Sequence, residues 1–314
     1  MKFKQFIIVI AILAAFSSTA LLFSCSNTEP SSTEQSSTEI DLDKDLLFTK
    51  KTGMEPYTCQ RAFSGKTVEI YYHIPDGDIK TMPVQIVMHG VDRNGDKYRD
   101  DWKSLADKYG FIVLAPQFNE DEFSDEAYQQ GNVTNEAGTF VAPDSMTYPI
   151  VSEIFHYFVD HSSSQAIKYN IYGHSAGSQF VHRYLLFNKT SEVNQAIAAN
   201  AGWYTFPTDS IKYPYGIGNS VKTIGTDVAA YYAKRLTILL GDADTLRTEN
   251  LRTTAKADAQ GRTRLERGNN FFDFCKKDAA DRDVPFNWKK AYVKGVGHSD
   301  AKMAPEAARL LYEE

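Results

Sequence analysis

The sequence predicts an α/β fold, a mainly parallel sheet covered by helices on both faces, and three observations predict it. Short apolar runs alternate with amphipathic stretches from about residue 60 onward, the pattern of strands joined by helical crossovers. The pentapeptide Gly173-His174-Ser175-Ala176-Gly177 stands where one such run meets one such stretch. Acidic and basic residues follow directly on two later runs, at the strand ends where open parallel sheets bind ligands.

The elements follow in order. Lys2 and Lys4 precede an apolar run from Phe6 to Phe23, which reads as an export signal over residues 1–24. Leu22-Phe23-Ser24-Cys25 resembles the bacterial lipobox, which implies cleavage before Cys25 and lipidation of its thiol, with Phe23 bulkier than the usual occupant. Residues 25–45 carry the lipid attachment and a Ser/Thr/Glu-rich tether; Ser26 to Glu39 has no apolar residue with which to offset ordering entropy. A single acyl chain binds a bilayer only marginally, so durable anchoring at Cys25 calls for several. The expected location is a bacterial membrane, on its periplasmic or outer face.

The catalytic domain is expected over residues 46–314. Strands are expected at Val68–Ile74, Val84–His89, Phe111–Ala115, Tyr169–Tyr172, Ala196–Ala199, Leu236–Leu240 and Trp288–Val293. Helices are expected at Tyr98–Tyr109, Pro149–Val159, Gln179–Phe187 and Ala304–Tyr312. Asn119 to Asp144 is too long for an ordinary connection and is expected to serve the site. Trp203 to Gly218 is a second candidate wall, whose aromatic residues either hold substrate or only pack. Gly261 to Asp273 holds three arginines and reads as a solvated charged face, with an anionic-substrate clamp as the alternative.

The pentapeptide has the form G-x-S-x-G in a strand-turn-helix context, where it holds a serine at the tip of a sharp turn. The glycines are needed because a Cβ at either position would meet the neighbouring strand or helix. A helix N-terminus behind Ser175 favours developing negative charge. A serine hydroxyl needs a base, and the base an orienting carboxylate. The run Leu236 to Leu240 ends in Gly241-Asp242-Ala243-Asp244, and Ala291-Tyr292-Val293 leads to Gly295-Val296-Gly297-His298. Of seven histidines His298 alone follows these acids. Asp242 and Asp244 are two apart, so at most one can face the imidazole while the other binds the loop.

These segments, with His89-Gly90 and Tyr98-Arg99-Asp100-Asp101-Trp102, together resemble the α/β-hydrolase superfamily, in particular its esterase and polyhydroxybutyrate-depolymerase-like group. The resemblance implies an ester hydrolase with Ser175 as nucleophile, His298 as base and Asp244 as the orienting acid, the Gly241-x-x-Asp244 spacing being similar to the family's. It also implies an oxyanion hole from the N–H groups of Ala176 and Val91, with His89 shaping the turn, or less readily acting as a base itself. The separate substrate-binding domains of many extracellular polymer depolymerases are not recognisable, which puts a polymer substrate in doubt.

The expected substrate is a small-molecule or carbohydrate-linked ester. A net charge of −6 without a basic stripe argues against nucleic acid. No zinc-spaced Cys/His set and no phosphate-binding glycine motif occurs, so no cofactor or metal is implied. Apart from Cys25, Cys59 and Cys275 form an even pair able to bridge in an oxidising compartment. The rival readings are a serine peptidase of the same fold and a non-catalytic glycan-binding lipoprotein. The oligomeric state is open.

Overall fold

A computed structural model describes residues 45–189 and 192–313. The export signal, Cys25 and nearly all of the tether lie outside the described residues.

Eight strands form one sheet: β1 (Thr52–Thr58), β2 (Thr67–His73), β3 (Val84–Met88), β4 (Ile112–Gln117), β5 (Tyr169–His174), β6 (Val193–Ala199), β7 (Leu236–Gly241) and β8 (Lys289–Val293). Their spatial order is β1-β2-β4-β3-β5-β6-β7-β8. β1 and β2 pair antiparallel, as do β2 and β4; every pairing from β4 across to β8 is parallel. The expected fold class is therefore observed. β1 was not foreseen, because Gly53 and Pro56 interrupt its apolar pattern. Proline lacks the donor a central ladder needs and is confined to edges, and β1 is an edge strand.

The helices are α1 (Gly95–Tyr109), α2 (Asp125–Tyr128), α3 (Pro149–Asp160), α4 (Ala176–Phe187), α5 (Ser220–Ile224), α6 (Val228–Ala233), α7 (Ala255–Asp258), α8 (Arg264–Asp281) and α9 (Asp300–Tyr312). Strand parity divides them between two faces. Ile86, Met88, Ile171, Ile238 and Leu240 point into a core shared with α3, α4 and α8. Val87, Tyr172, Ile197 and Leu239 point the other way, against Trp102 and Ala106 of α1 and Met303, Ala307 and Leu311 of α9.

Two expectations are corrected here. Arg264 and Arg267 are 1% and 0% exposed, so of the three arginines in Gly261 to Asp273 only Arg262 stands on a solvated face, and the two buried ones hold protein acceptors. The segment opens α8, whose start Thr263 caps by accepting the Glu266 N–H. Arg267 holds the carbonyls of Gly202, Arg252 and Gly261 and pairs with Asp258. Cys59 and Cys275 are both buried free thiols, and burial pushes both thiols up, Cys59 to about 12. They fill space in the main core and do not bridge.

Candidate active site

β3 and β5 are neighbours, and the chain leaves them toward opposite edges of the sheet, to β4 on one side and β6 on the other. The crevice at such a reversal opens at the strand C-termini. The loops after β3, β5, β7 and β8 meet there.

After β5 the turn is so tight that a Cβ on Gly173 would lie 2.2 Å from Gly177 O, and one on Gly177 would lie 2.1 Å from Met88 O. Ser175 adopts φ 56° and ψ −113°, a region that costs a non-glycine residue roughly 1–3 kcal/mol. Its N–H is held by Ala199 O at 3.0 Å. Behind it α4 begins at Ala176, whose N–H has no acceptor within the helix.

His298 Nε2 is 2.9 Å from Ser175 Oγ, and its Nδ1 is 2.8 Å from Asp244 Oδ2. Asp244 is 2% exposed, and Arg264 approaches its other oxygen at 3.7 Å. Asp242 turns away and accepts the Gly295 N–H at 2.6 Å, tying the loop after β7 to the loop after β8. Asn200, at φ 49°, braces the same junction. Its Oδ1 accepts the Gly241 N–H at 2.8 Å and its Nδ2 donates to Gly297 O at 3.3 Å. Sequence reasoning missed both Asn200 and Arg264. The Thr263-x-x-Glu266 capping pattern was the available signal for α8, and thus for the arginine in its first turn.

His89 is fully buried. Nδ1 donates to Gly90 O at 2.8 Å, Nε2 accepts the Phe118 N–H at 3.0 Å, and Tyr128 stacks on the ring. Burial lowers its pKa to about 3, so it stays neutral and holds the turn. Val91 follows that turn and lines the cavity beside Ser175 and Ala176. His174 packs against His298 with the rings tilted and their centroids 4.6 Å apart, and burial keeps it neutral as well.

Two cavities of about 270 Å³ each meet at Ser175. One is lined by Ala176, Gln179, Gly202, Trp203 and Glu249. The other is lined by Asn94, Tyr98, His174, His298 and Asp300. The long segment after β4 does serve this region: α2 within it contributes Asp125 and Glu126 to the first cavity. The aromatic residues after Gly202 mainly pack. Tyr204 stacks on Phe271, Phe206 meets Phe271 and Phe274, and Trp203, 2% exposed, lies against Arg183. Among the described residues no group of three His, Cys, Asp or Glu is arranged to hold a metal ion.

Sheet order and helix placement together define an α/β-hydrolase fold. The sequence matches the family described as Esterase PHB depolymerase over residues 68–201. Poly(aspartic acid) hydrolase-1 from Sphingomonas sp. KT-1 is 35% identical, with TM-score 0.78 and coverage of 84% of this chain and 98% of its own. LpqC, a poly(3-hydroxybutyrate) depolymerase from Bordetella parapertussis, is 31% identical, with TM-score 0.78 and coverage of 83% and 90%. The chain belongs to this esterase and depolymerase family of hydrolases. FphF, a fluorophosphonate-binding serine hydrolase of Staphylococcus aureus, is 16% identical at TM-score 0.51 over 83% of this chain and 96% of its own, and shares the fold. No curated protein matches the chain.

Proposed function

We propose that the chain hydrolyses carboxylic esters through an acyl-enzyme on Ser175. The observation that carries this is the continuous hydrogen-bonded line from Asp244 through His298 to Ser175, at 2.8 and 2.9 Å. His298 Nδ1–H donates to Asp244, which leaves Nε2 free to accept the Ser175 proton. Oγ attacks the carbonyl carbon, and the resulting oxyanion accepts hydrogen bonds from the N–H groups of Val91 and Ala176. Collapse expels the alcohol, which takes its proton from His298 Nε2. Water, giving a proton to the same nitrogen, then cleaves the acyl-enzyme and frees Ser175.

His298 lines one of the two cavities, so the alcohol leaves there and the acyl chain lies on the Gln179 side. Both cavities are rich in polar side chains, which favours a short or hydroxylated ester, small or carbohydrate-linked, over a long alkyl chain. A fluorophosphonate probe tests the nucleophile: it should modify Ser175 alone, and modification of a different serine removes the assignment.

The first 45 residues support an exported enzyme anchored by lipid at Cys25. No described helix is long and apolar enough to cross a membrane. Wild-type protein should incorporate labelled palmitate and sediment with membranes, and Cys25→Ala should do neither. Unlabelled protein in the medium would contradict the anchor.

A further inference from the structure

The loop after β7 carries Asp244 and, a few residues on, a β-turn that borders the cleft. Leu251 donates its N–H to Thr248 O at 3.0 Å, which makes Glu249 and Asn250 the two central residues of the turn. The residues on either side are held. Arg247 pairs with Asp258, and Thr248 Oγ1 accepts from both Nη groups of Arg264 at 3.5 Å. Leu251 is buried, and the Arg252 carbonyl accepts Arg267 Nη2 at 2.8 Å. Two buried arginines of α8 thus fix the turn from below, and its tip residues Glu249 and Asn250 stand exposed.

That tip lies where an ester has to cross from one cavity to the other. Among the described residues lining the two cavities that meet at Ser175, only Val91, Ser175 and Asn250 line both. Val91 supplies an oxyanion N–H and Ser175 the nucleophile in the mechanism above, so Asn250 is the residue at the crossing that the mechanism leaves without a task. Glu249 lines the acyl cavity alone. Among the described residues the Asn250 side chain has no protein hydrogen-bond partner, so its amide is free to turn either its oxygen or its nitrogen toward a substrate.

The two oxygens of an ester are not equally provided for. The carbonyl oxygen has the N–H groups of Val91 and Ala176. The alkoxy oxygen has only the proton of His298 Nε2, and it gains negative charge as its bond to the carbonyl carbon breaks. A donor at the crossing serves that second oxygen.

We propose that Asn250 is a catalytic residue whose Nδ2–H donates to the alkoxy oxygen of the scissile ester. As the tetrahedral intermediate collapses, the electron pair of the C–O bond passes to that oxygen and the proton comes from His298 Nε2. The Asn250 amide stabilises the charge that builds before the proton arrives. The inference rests on the esterase reading for the placement of acyl and alcohol parts. Its signature is a dependence on the leaving group. An alkyl alcohol oxygen keeps its charge and needs the donor, whereas nitrophenol spreads the charge over its own ring.

The test compares p-nitrophenyl, phenyl, trifluoroethyl and ethyl acetates by proton release, using kcat/KM because it reports acylation. Asn250→Ala should lose about tenfold or more on ethyl acetate, the effect of one hydrogen bond to a charged oxygen. It should lose little on p-nitrophenyl acetate, with the other two esters between. Asn250→Asp suits the turn but offers no N–H. It should show the same graded loss, which keeps the proposal testable if the alanine variant fails to fold. Glu249→Gln, at the same tip but on the acyl cavity alone, should keep the wild-type grading. A loss equal for all four esters, no loss at all, or the same grading in Glu249→Gln overturns the proposal while the esterase reading stands. If wild-type protein cleaves none of the four, the esterase reading falls and takes this inference with it.

Discussion

Arg264 Nη1 lies 3.7 Å from Asp244 Oδ1, with both side chains almost fully buried. The arginine comes from the first turn of α8 and the aspartate from the loop after β7, so this contact joins the acid loop to the helix that backs it. Burial lowers the arginine's pKa while the carboxylate raises it again; the guanidinium remains charged.

Removing that cation leaves the Asp244 carboxylate buried with the His298 Nδ1–H as its remaining side-chain partner among the described residues. Arg264→Met should destabilise the fold by about 3–5 kcal/mol, the usual effect of removing one member of a buried pair. Urea unfolding measures this. The variant should also lose roughly tenfold or more in kcat as the acid loop loosens. A fully active variant of unchanged stability would show that the contact is incidental.

Ser175 combines the proposed nucleophile with backbone strain, so its substitutions should separate activity from stability. Ser175→Ala and Ser175→Gly should both lose about 10⁶-fold in kcat. Glycine accepts φ 56° freely and alanine does not. Ser175→Gly should therefore be the more stable of the two, by about 1 kcal/mol or more in thermal or urea unfolding. Equal stabilities would mean that the turn is not strained.

The two carboxylates of the β7 loop should differ sharply. Asp244→Asn should lower kcat about 10⁴-fold, because an amide facing Nδ1 favours the wrong tautomer of His298. Asp242→Asn should lower it far less, since Asp242 bonds the Gly295 N–H and not the imidazole. Steady-state rates on one activated ester decide this, and reversed results would reassign the acid.

Stability should fall steeply in mild acid, for reasons that are countable. Burial holds His89, His174 and His182 neutral in the fold, with His89 at about 3 and the other two well below their ordinary value. Unfolded, each binds a proton below about 6.5. Burial raises Asp300 to about 7, so it is protonated in the fold where the unfolded chain has it ionised. Below about pH 6 the unfolded chain thus protonates its three histidines while the folded chain resists doing so, and this outweighs the one proton that Asp300 keeps in the fold. Stability should therefore fall as pH drops through that window, because the unfolded chain takes up more protons than the folded one. Asp300 acts in the opposite sense: its contribution is complete below its unfolded value and is lost as pH rises through 7. Asp300→Asn, which keeps an acceptor for the Tyr172 hydroxyl, should therefore be more stable than wild type at pH 8, on the order of 2–4 kcal/mol. The gain should vanish below about pH 4. No gain at pH 8 would mean that burial does not raise the Asp300 carboxyl above its ordinary value.

The parts of this architecture legible in the sequence are those fixed by short-range constraints. The central strands show as apolar runs, because both faces of the sheet are covered. The elbow shows because Gly173 and Gly177 have no room for a side chain. The parts that were hidden depend on contacts between distant segments. Arg264 reads as a surface charge until the cap at Thr263 turns it inward toward Asp244. Asn250 reads as one more loop residue, until the arginines of α8 fix its turn beside Ser175. The long segment after β4 was recognisable as functional from its length, but not which of its residues reach the cavity. Cys59 and Cys275 suggested a bridge by number alone, and number says nothing about geometry.

The central claim is that an acyl group passes through Ser175. Wild-type protein mixed rapidly with p-nitrophenyl acetate and quenched in acid should release a burst of nitrophenol, and peptide mapping should find the acetyl group on Ser175. Asp244→Asn should show the same adduct formed more slowly, and Ser175→Ala should show neither burst nor adduct. Turnover with no acetyl on Ser175, or a burst that survives in Ser175→Ala, would contradict the account.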